Sequence, residues 1–180
     1  MNQRKLRNGV LIMGLIVVVA SGGKGGVGKS VTAVNLAGAL VSKGHRTALV
    51  DTDTGIKDQG SLGVQSVSSF SRFRNNLIDG GKEMQEIPCY PFSPEEKIHT
   101  QIKDIAKAND YVIVDTPGSA TTALRSVAPI ADLIYLPINC SRDEFLPLPP
   151  IFDLVRDVEA QNSGKILGLS VRENLAFQDA

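Results

Sequence analysis

The segment Gly23-Lys24-Gly25-Gly26-Val27-Gly28-Lys29-Ser30 limits what this 180-residue chain can become, because it joins two stretches of different period. Before it, residues 15–20 form a short β-branched run with no polar alternation, the pattern of a strand covered on both faces. After it, residues 29–43 place Val31, Val34, Ala37, Leu40 and Val41 at helical spacing, and Gly44 marks the stop. Strand, small-residue turn and helix are the context that G-x-x-x-x-G-K-[ST] requires. Such a turn lets consecutive backbone N–H groups converge on one cavity, and the following helix adds its unsatisfied amides and positive dipole end. Lys29 is expected to reach the β- and γ-phosphates of a nucleotide, and the Ser30 hydroxyl to ligate Mg²⁺.

The same alternation continues down the chain. Strands are expected over residues 47–51, weakly over 86–90, and over 111–115, 133–138 and 166–170. Helices are expected over 94–108, with Pro94, Glu95 and Glu96 favouring the first turn, over 121–131, and from Pro150 to about Gln161. Pro129 must end or bend the second of these. Residues 54–85 are punctuated by glycine, and serines between 66 and 71 would cap a short helix reaching Leu77. Repeated strand–helix units with short loops predict an α/β fold, a mainly parallel sheet flanked by helices. Residues 1–13 read as a basic and apolar extension, and residues 14–180 as one domain.

Three aspartates fall where such a sheet gathers its ligands, at or just beyond the C-terminal ends of strands: Asp51, Asp53 and Asp115. Mg²⁺ takes oxygen ligands and retains waters beside carboxylates, so these side chains and Ser30 suit it. Asp115 stands between Tyr111-Val112-Ile113-Val114 and Thr116-Pro117-Gly118, the strand-to-loop setting of a metal-organising acid.

Composition excludes several classes. With 42% hydrophobic and 21% charged residues, the chain is neither disordered, collagen-like nor coiled coil. Lys plus Arg equals Asp plus Glu at 19 each, yet residues 1–90 carry 11 against 6 and residues 91–180 carry 8 against 13. Net charge therefore says nothing about a nucleic-acid partner. Cys89 and Cys140, with His45 and His99, make no disulfide framework or structural zinc cluster, and read as thiols in a reducing compartment. Arg4, Lys5 and Arg7 before the apolar stretch 10–20 mimic a signal peptide, but that stretch is too short to span a bilayer. It reads instead as a buried strand led in by a basic extension, which places the chain in the cytoplasm.

Residues 21–30 resemble the deviant Walker A loop of the ParA/MinD group of dimerising P-loop ATPases. Val34-Asn35-Leu36-Ala37 and Leu49-Val50-Asp51-Thr52-Asp53 continue that resemblance, as does the stretch from Asp115-Thr116-Pro117-Gly118 to Glu144. The resemblance covers residues 15–63 and 111–162, and small plasmid-partition members are the nearest in pattern. It implies ATP and Mg²⁺ as cofactors and a homodimer with ATP sandwiched between subunits. Lys24 would cross to the partner's nucleotide and Asp51 would help organise Mg²⁺. Asp53 would position the attacking water, and Gly118 would lie in the loop that senses the γ-phosphate. Catalytic roles then fall to Lys24, Lys29 and Asp53; cofactor binding to Gly23, Lys24, Gly25, Gly26, Val27, Gly28, Lys29, Ser30 and Gly118; metal binding to Ser30, Asp51 and Asp115.

The resemblance also implies an ATP-dependent switch in plasmid or chromosome partition, with a centromere-binding adaptor and a nucleoid-associated location. Nonspecific DNA would need a Lys/Arg patch, for which Arg72, Arg74 and Lys82, or Lys97, Lys103 and Lys107, are candidates. Asp53-Thr54-Gly55-Ile56 is closer to the division-site branch, so a MinD-like ATPase positioning division machinery or other cargo is the alternative. No terminal amphipathic helix follows Phe177, so that branch's membrane anchor is not expected. The C-terminal region is short for the family, by an internal deletion or a clipped end, which also admits an inactive nucleotide-binding remnant. Asn139 and Asn174 are candidate adenine-edge partners. An iron–sulfur carrier is disfavoured by the absence of a paired-cysteine motif.

Overall fold

The computed structural model describes residues 6–7, 10–11, 13–22, 27–52, 67, 86–92, 98–117, 122–138, 145–161 and 168–171. Among the described residues, six parallel strands form the central sheet: β3 (Leu15–Val19), β4 (Thr47–Asp51), β5 (Cys89–Pro91), β6 (Tyr111–Asp115), β7 (Leu133–Ile138) and β8 (Gly168–Val171). Their order is β5-β4-β6-β3-β7-β8, every neighbouring pair parallel. This is the mainly parallel sheet flanked by helices that the strand–helix alternation predicts.

Alternation of side chains across the strands divides the core in two. On one face Val17, Val19, Leu49 and Ile113 meet Ala33, Val34, Ala37 and Val41 of α1 (Lys29–Ser42). On the other, Ile16, Val18, Val112 and Val114 meet Ile102 and Ala106 of α2 (His99–Ala108). That layer also contains Leu124 and Val127 of α3 (Thr122–Val127), and Ile151, Leu154, Val155 and Val158 of α4 (Pro149–Gln161). Burial on both faces is why β3, β4 and β6 read as continuous apolar runs.

Several boundaries differ from the expected ones. The stretch 10–20 is not one strand: Val10–Leu11 (β2) pairs antiparallel with Leu6–Arg7 (β1), and the sheet strand begins only at Leu15. Gly14 makes the junction, because a Cβ there would collide with the Asn109 carbonyl while its N–H donates to Ala106 O at 2.8 Å. Val31 sits at helical spacing in α1 but is 51% exposed, whereas Ala33 is fully buried.

Strand β5 is Cys89–Pro91 rather than 86–90, with Ile87 buried just before it. The α-helix expected over 121–131 gives way at Ala128 to a 3₁₀ turn, Ala128–Ile130, since Pro129 cannot continue the ladder. α4 begins one residue before Pro150, and β8 is Gly168–Val171 rather than 166–170. The first turn expected at 94–97 and the short helix near Leu77 lie outside the described residues.

At the opposite end of the strands from Asp51 and Asp115, a polar clamp ties β4 to β6. Asp110 Oδ1 accepts from Arg46 Nη2 at 2.8 Å, Asp110 Oδ2 accepts the Arg46 backbone N–H at 2.9 Å, and Asp110 N–H donates back to Arg46 O at 2.8 Å. The guanidinium beside it holds the Asp110 carboxyl below the usual carboxylate range. His45 meets the Tyr111 ring edge-on, with centroids 5.2 Å apart.

Candidate nucleotide site

β3 runs into the glycine-rich turn, and α1 leaves it. Gly28, at the N-cap of α1, has φ 87°, a left-handed conformation that costs a side-chain-bearing residue and suits glycine. Among the described residues no side chain caps the helix and its first turn holds no acid, so its leading amides and dipole end favour an external anion. Lys29, the first helical residue, is 7% exposed, a buried cation beside those amides. Val27 packs into the core at the foot of the turn.

The carboxylates come together by register. Val19, Asp115 and Asp51 lie abreast on β3, β6 and β4, and both aspartates are buried at 1% exposure. Ser30, one residue into α1, donates its hydroxyl hydrogen to Asp115 Oδ2 at 2.6 Å, which brings helix and strand edge into one constellation. Having donated its hydrogen, that hydroxyl keeps its lone pairs for a cation.

Two threonines hold this edge in place. Thr52 donates both its N–H and its hydroxyl to Asp115 O, at 3.0 and 2.8 Å. Thr116 donates its N–H and hydroxyl to Val19 O, at 3.2 and 2.9 Å. Phe92 N–H donates to Asp51 O at 2.8 Å, extending the seam to β5. These positioning residues were not among the predicted site residues, although the sequence carries their signal: Val50-Asp51-Thr52 and Val114-Asp115-Thr116 repeat one triplet at two strand ends.

The structure thus brings together Lys29, Ser30, Asp51 and Asp115, with Val27 and Gly28 at the mouth of α1. Gly23, Lys24, Gly25, Gly26, Asp53 and Gly118 lie outside the described residues, as do Asn139 and Asn174. Among the described residues no group of three or more His, Cys, Asp or Glu side chains forms a cage for a metal ion. A hydroxyl and two buried carboxylates still suit Mg²⁺, which keeps several waters and takes phosphate oxygens rather than a closed protein shell. Of the candidate DNA-contacting lysines, Lys103 is exposed on α2 and Lys107 pairs with Asp104 at 2.6 Å. Arg72, Arg74, Lys82 and Lys97 lie outside the described residues. No described helix is long and apolar enough to cross a membrane.

The family model described as ATPase MipZ matches residues 15–178, from the first residue of β3 to beyond β8. The chain belongs to the MipZ ATPase family. Membership fits the ParA/MinD resemblance, and relatives of both branches are found. A chromosome partitioning protein ParA of Myxococcus xanthus is 25% identical over 171 residues, covering 82% of this chain and 59% of the relative. A septum site-determining protein MinD of Thermotoga maritima is 29% identical over 186 residues, covering 93% and 61%. The solved structure of a ParA family ATPase from Chlorobium tepidum matches with a TM-score of 0.61 at 20% identity, covering 92% of this chain and 75% of that one. At that identity the match speaks for the fold alone. This MipZ-family chain spans about 51–77% of the length of the curated relatives it matches.

Proposed function

We propose that the chain is an ATP-dependent dimerising ATPase switch that positions intracellular cargo, with plasmid or chromosome partition as its specific task. The observation that carries this reading is the Ser30–Asp115 hydrogen bond beside the buried Lys29, at the anion-seeking start of α1. A helix N-terminus can attract many anions, but a hydroxyl held on a buried carboxylate adds a place for the cation that accompanies a polyphosphate.

In this reading Lys29 and the amides from Gly25 to Ser30 hold the phosphates. Ser30, Asp115 and Asp51 hold Mg²⁺, which supplies charge neutralisation of the phosphate oxygens when bound. Asp53 orients the attacking water, and hydrolysis yields ADP and inorganic phosphate. Gly118 senses the γ-phosphate, and Lys24 reaches into the site of a second copy. The dimer is then favoured by the nucleotide that it shares, because a ligand bound more tightly by one association state shifts the population toward it. Nonspecific DNA favours the same state, and a centromere-binding adaptor stimulates release.

The MinD relative and Asp53-Thr54-Gly55-Ile56 favour a second reading, in which the cargo is division machinery. One experiment tests the switch: light scattering after size exclusion, together with phosphate release, with and without Mg·ATP. Wild type is expected to gain a hydrolysing dimer. Lys24→Ala should bind nucleotide without dimerising, Lys29→Ala should lose binding, and Asp53→Ala should bind without turnover. Equal phosphate release by all four proteins would refute the catalytic assignment. Salt-dependent association of the ATP-bound form with random duplex DNA separates partition from division, and no binding at low salt would refute partition.

A further inference from the structure

Among the described residues, the buried hydroxyls of Ser21, Thr52 and Thr116, all 0% exposed, line the strand edge that faces the start of α1. Two are spent on neighbouring strands, Thr52 on Asp115 O and Thr116 on Val19 O. Ser21 differs, since its Oγ is buried and has no hydrogen-bond partner among the described residues. A buried hydroxyl with no partner is unfavourable and seldom left in place without a use.

The location indicates what would satisfy it. Ser21 lies two residues beyond Val19, where the chain leaves β3 for the glycine-rich turn. The next residue, Gly22, is wedged: a Cβ on it would lie 2.6 Å from Pro147 O and 3.0 Å from Leu148 N. That contact limits how far the chain can shift to bring the Ser21 hydroxyl to solvent. The groups gathered close by in sequence and fold include donors and a cation, namely the uncapped amides of α1 and the Lys29 ammonium. The Asp51 and Asp115 carboxylates stand at the same edge, yet neither accepts from Ser21, and an anion drawn by those amides and that ammonium brings the acceptor the hydroxyl lacks.

We propose that Ser21 is a further phosphate-binding donor of this site, its hydroxyl finding its acceptor on a polyphosphate oxygen. The assignment rests on the nucleotide-binding reading above and deepens it, adding a donor from the strand side of the turn that G-x-x-x-x-G-K-[ST] does not include. It predicts effects of opposite character in the two states of the protein. Without ligand, removing the hydroxyl removes an unsatisfied group; with ligand, it removes a hydrogen bond to a charged oxygen.

The test compares wild type, Ser21→Ala and the volume-conserving Ser21→Cys, a poor donor. Thermal midpoints are measured without ligand, and affinities for Mg·ATP and for inorganic tripolyphosphate by calorimetry below every midpoint. The expected result is an unliganded midpoint equal to or above wild type in both variants. Affinity for both ligands should fall about tenfold, the scale of one hydrogen bond to a charged group.

A lowered unliganded midpoint in both variants overturns the proposal, because the hydroxyl then already has a partner in the protein. Unchanged tripolyphosphate affinity overturns it as well, whether or not ATP affinity changes. If wild type itself takes up neither ligand, the nucleotide reading fails. If wild type binds both and the variants match it, only the Ser21 assignment fails.

Discussion

Ser30 and Asp115, 85 residues apart in sequence, are joined by a hydrogen bond of 2.6 Å between a hydroxyl at the start of α1 and a carboxylate at the end of β6. The bond fixes which way the hydroxyl turns, and so which lone pairs remain for a cation. Asp115→Asn keeps the shape but removes the charge that orients Ser30. Magnesium affinity of the nucleotide-bound protein is expected to fall roughly 10–100-fold, the usual loss when the group orienting a ligand is changed. Titrating Mg²⁺ at fixed ATP by calorimetry checks this, and an unchanged magnesium midpoint would remove Asp115 from the site.

Lys29 is buried at the mouth of α1, where its ammonium is placed to engage a bound anion strongly. Lys29→Ala is expected to weaken nucleotide binding by roughly two orders of magnitude, as truncating one side of a buried charge pair does. The unliganded protein should lose no stability. Denaturant midpoints and equilibrium dialysis on the same sample separate the two effects.

The Arg46–Asp110 clamp at the far end of the strands gives a prediction in pH. Because the folded Asp110 titrates below its ordinary value, its contribution is fully present above about 3.9 and is lost as pH falls further, through the folded pKa. Both side chains are about two-fifths exposed, at 41% and 42%, so solvent screening limits the pair to less than ~1 kcal/mol. Urea midpoints of wild type and Arg46→Ala should differ slightly at neutral pH, converge in strong acid, and differ less at high salt.

Two glycines in different settings should respond in opposite directions. Gly14→Ala drives a methyl into the Asn109 carbonyl at the entrance to β3, and backbone cannot yield cheaply, so a loss of roughly 1–3 kcal/mol is expected. Gly38→Ala, inside α1 with nothing within 4 Å of the new methyl, should gain about 0.5–1 kcal/mol from helix propensity. Urea denaturation of each variant at neutral pH checks both signs.

The parallel sheet was legible because β3, β4 and β6 are buried on both faces and each carries an unbroken apolar run. The convergence of Asp51 and Asp115 followed from their place at strand ends, which a parallel sheet aligns on one edge. What remained hidden depended on neighbours distant in sequence. Val31 satisfies helical periodicity but faces away from the sheet, and which side of α1 packs is set by β3, β4 and β6. The break at Gly14 comes from a collision with Asn109, a residue 95 positions away that no local pattern names. Thr52 and Thr116 resemble ordinary loop hydroxyls until the register shows the neighbouring carbonyl each one meets.

The start of α1, with Ser30 and the paired strand-end aspartates, is proposed as a site for magnesium-bound nucleotide. Calorimetric titration of the folded chain with ATP, with and without Mg²⁺, tests it most directly. Saturable uptake is expected, tighter when magnesium is present and lost in Lys29→Ala. Heat indistinguishable from dilution in both conditions, on protein shown to be folded, would contradict it.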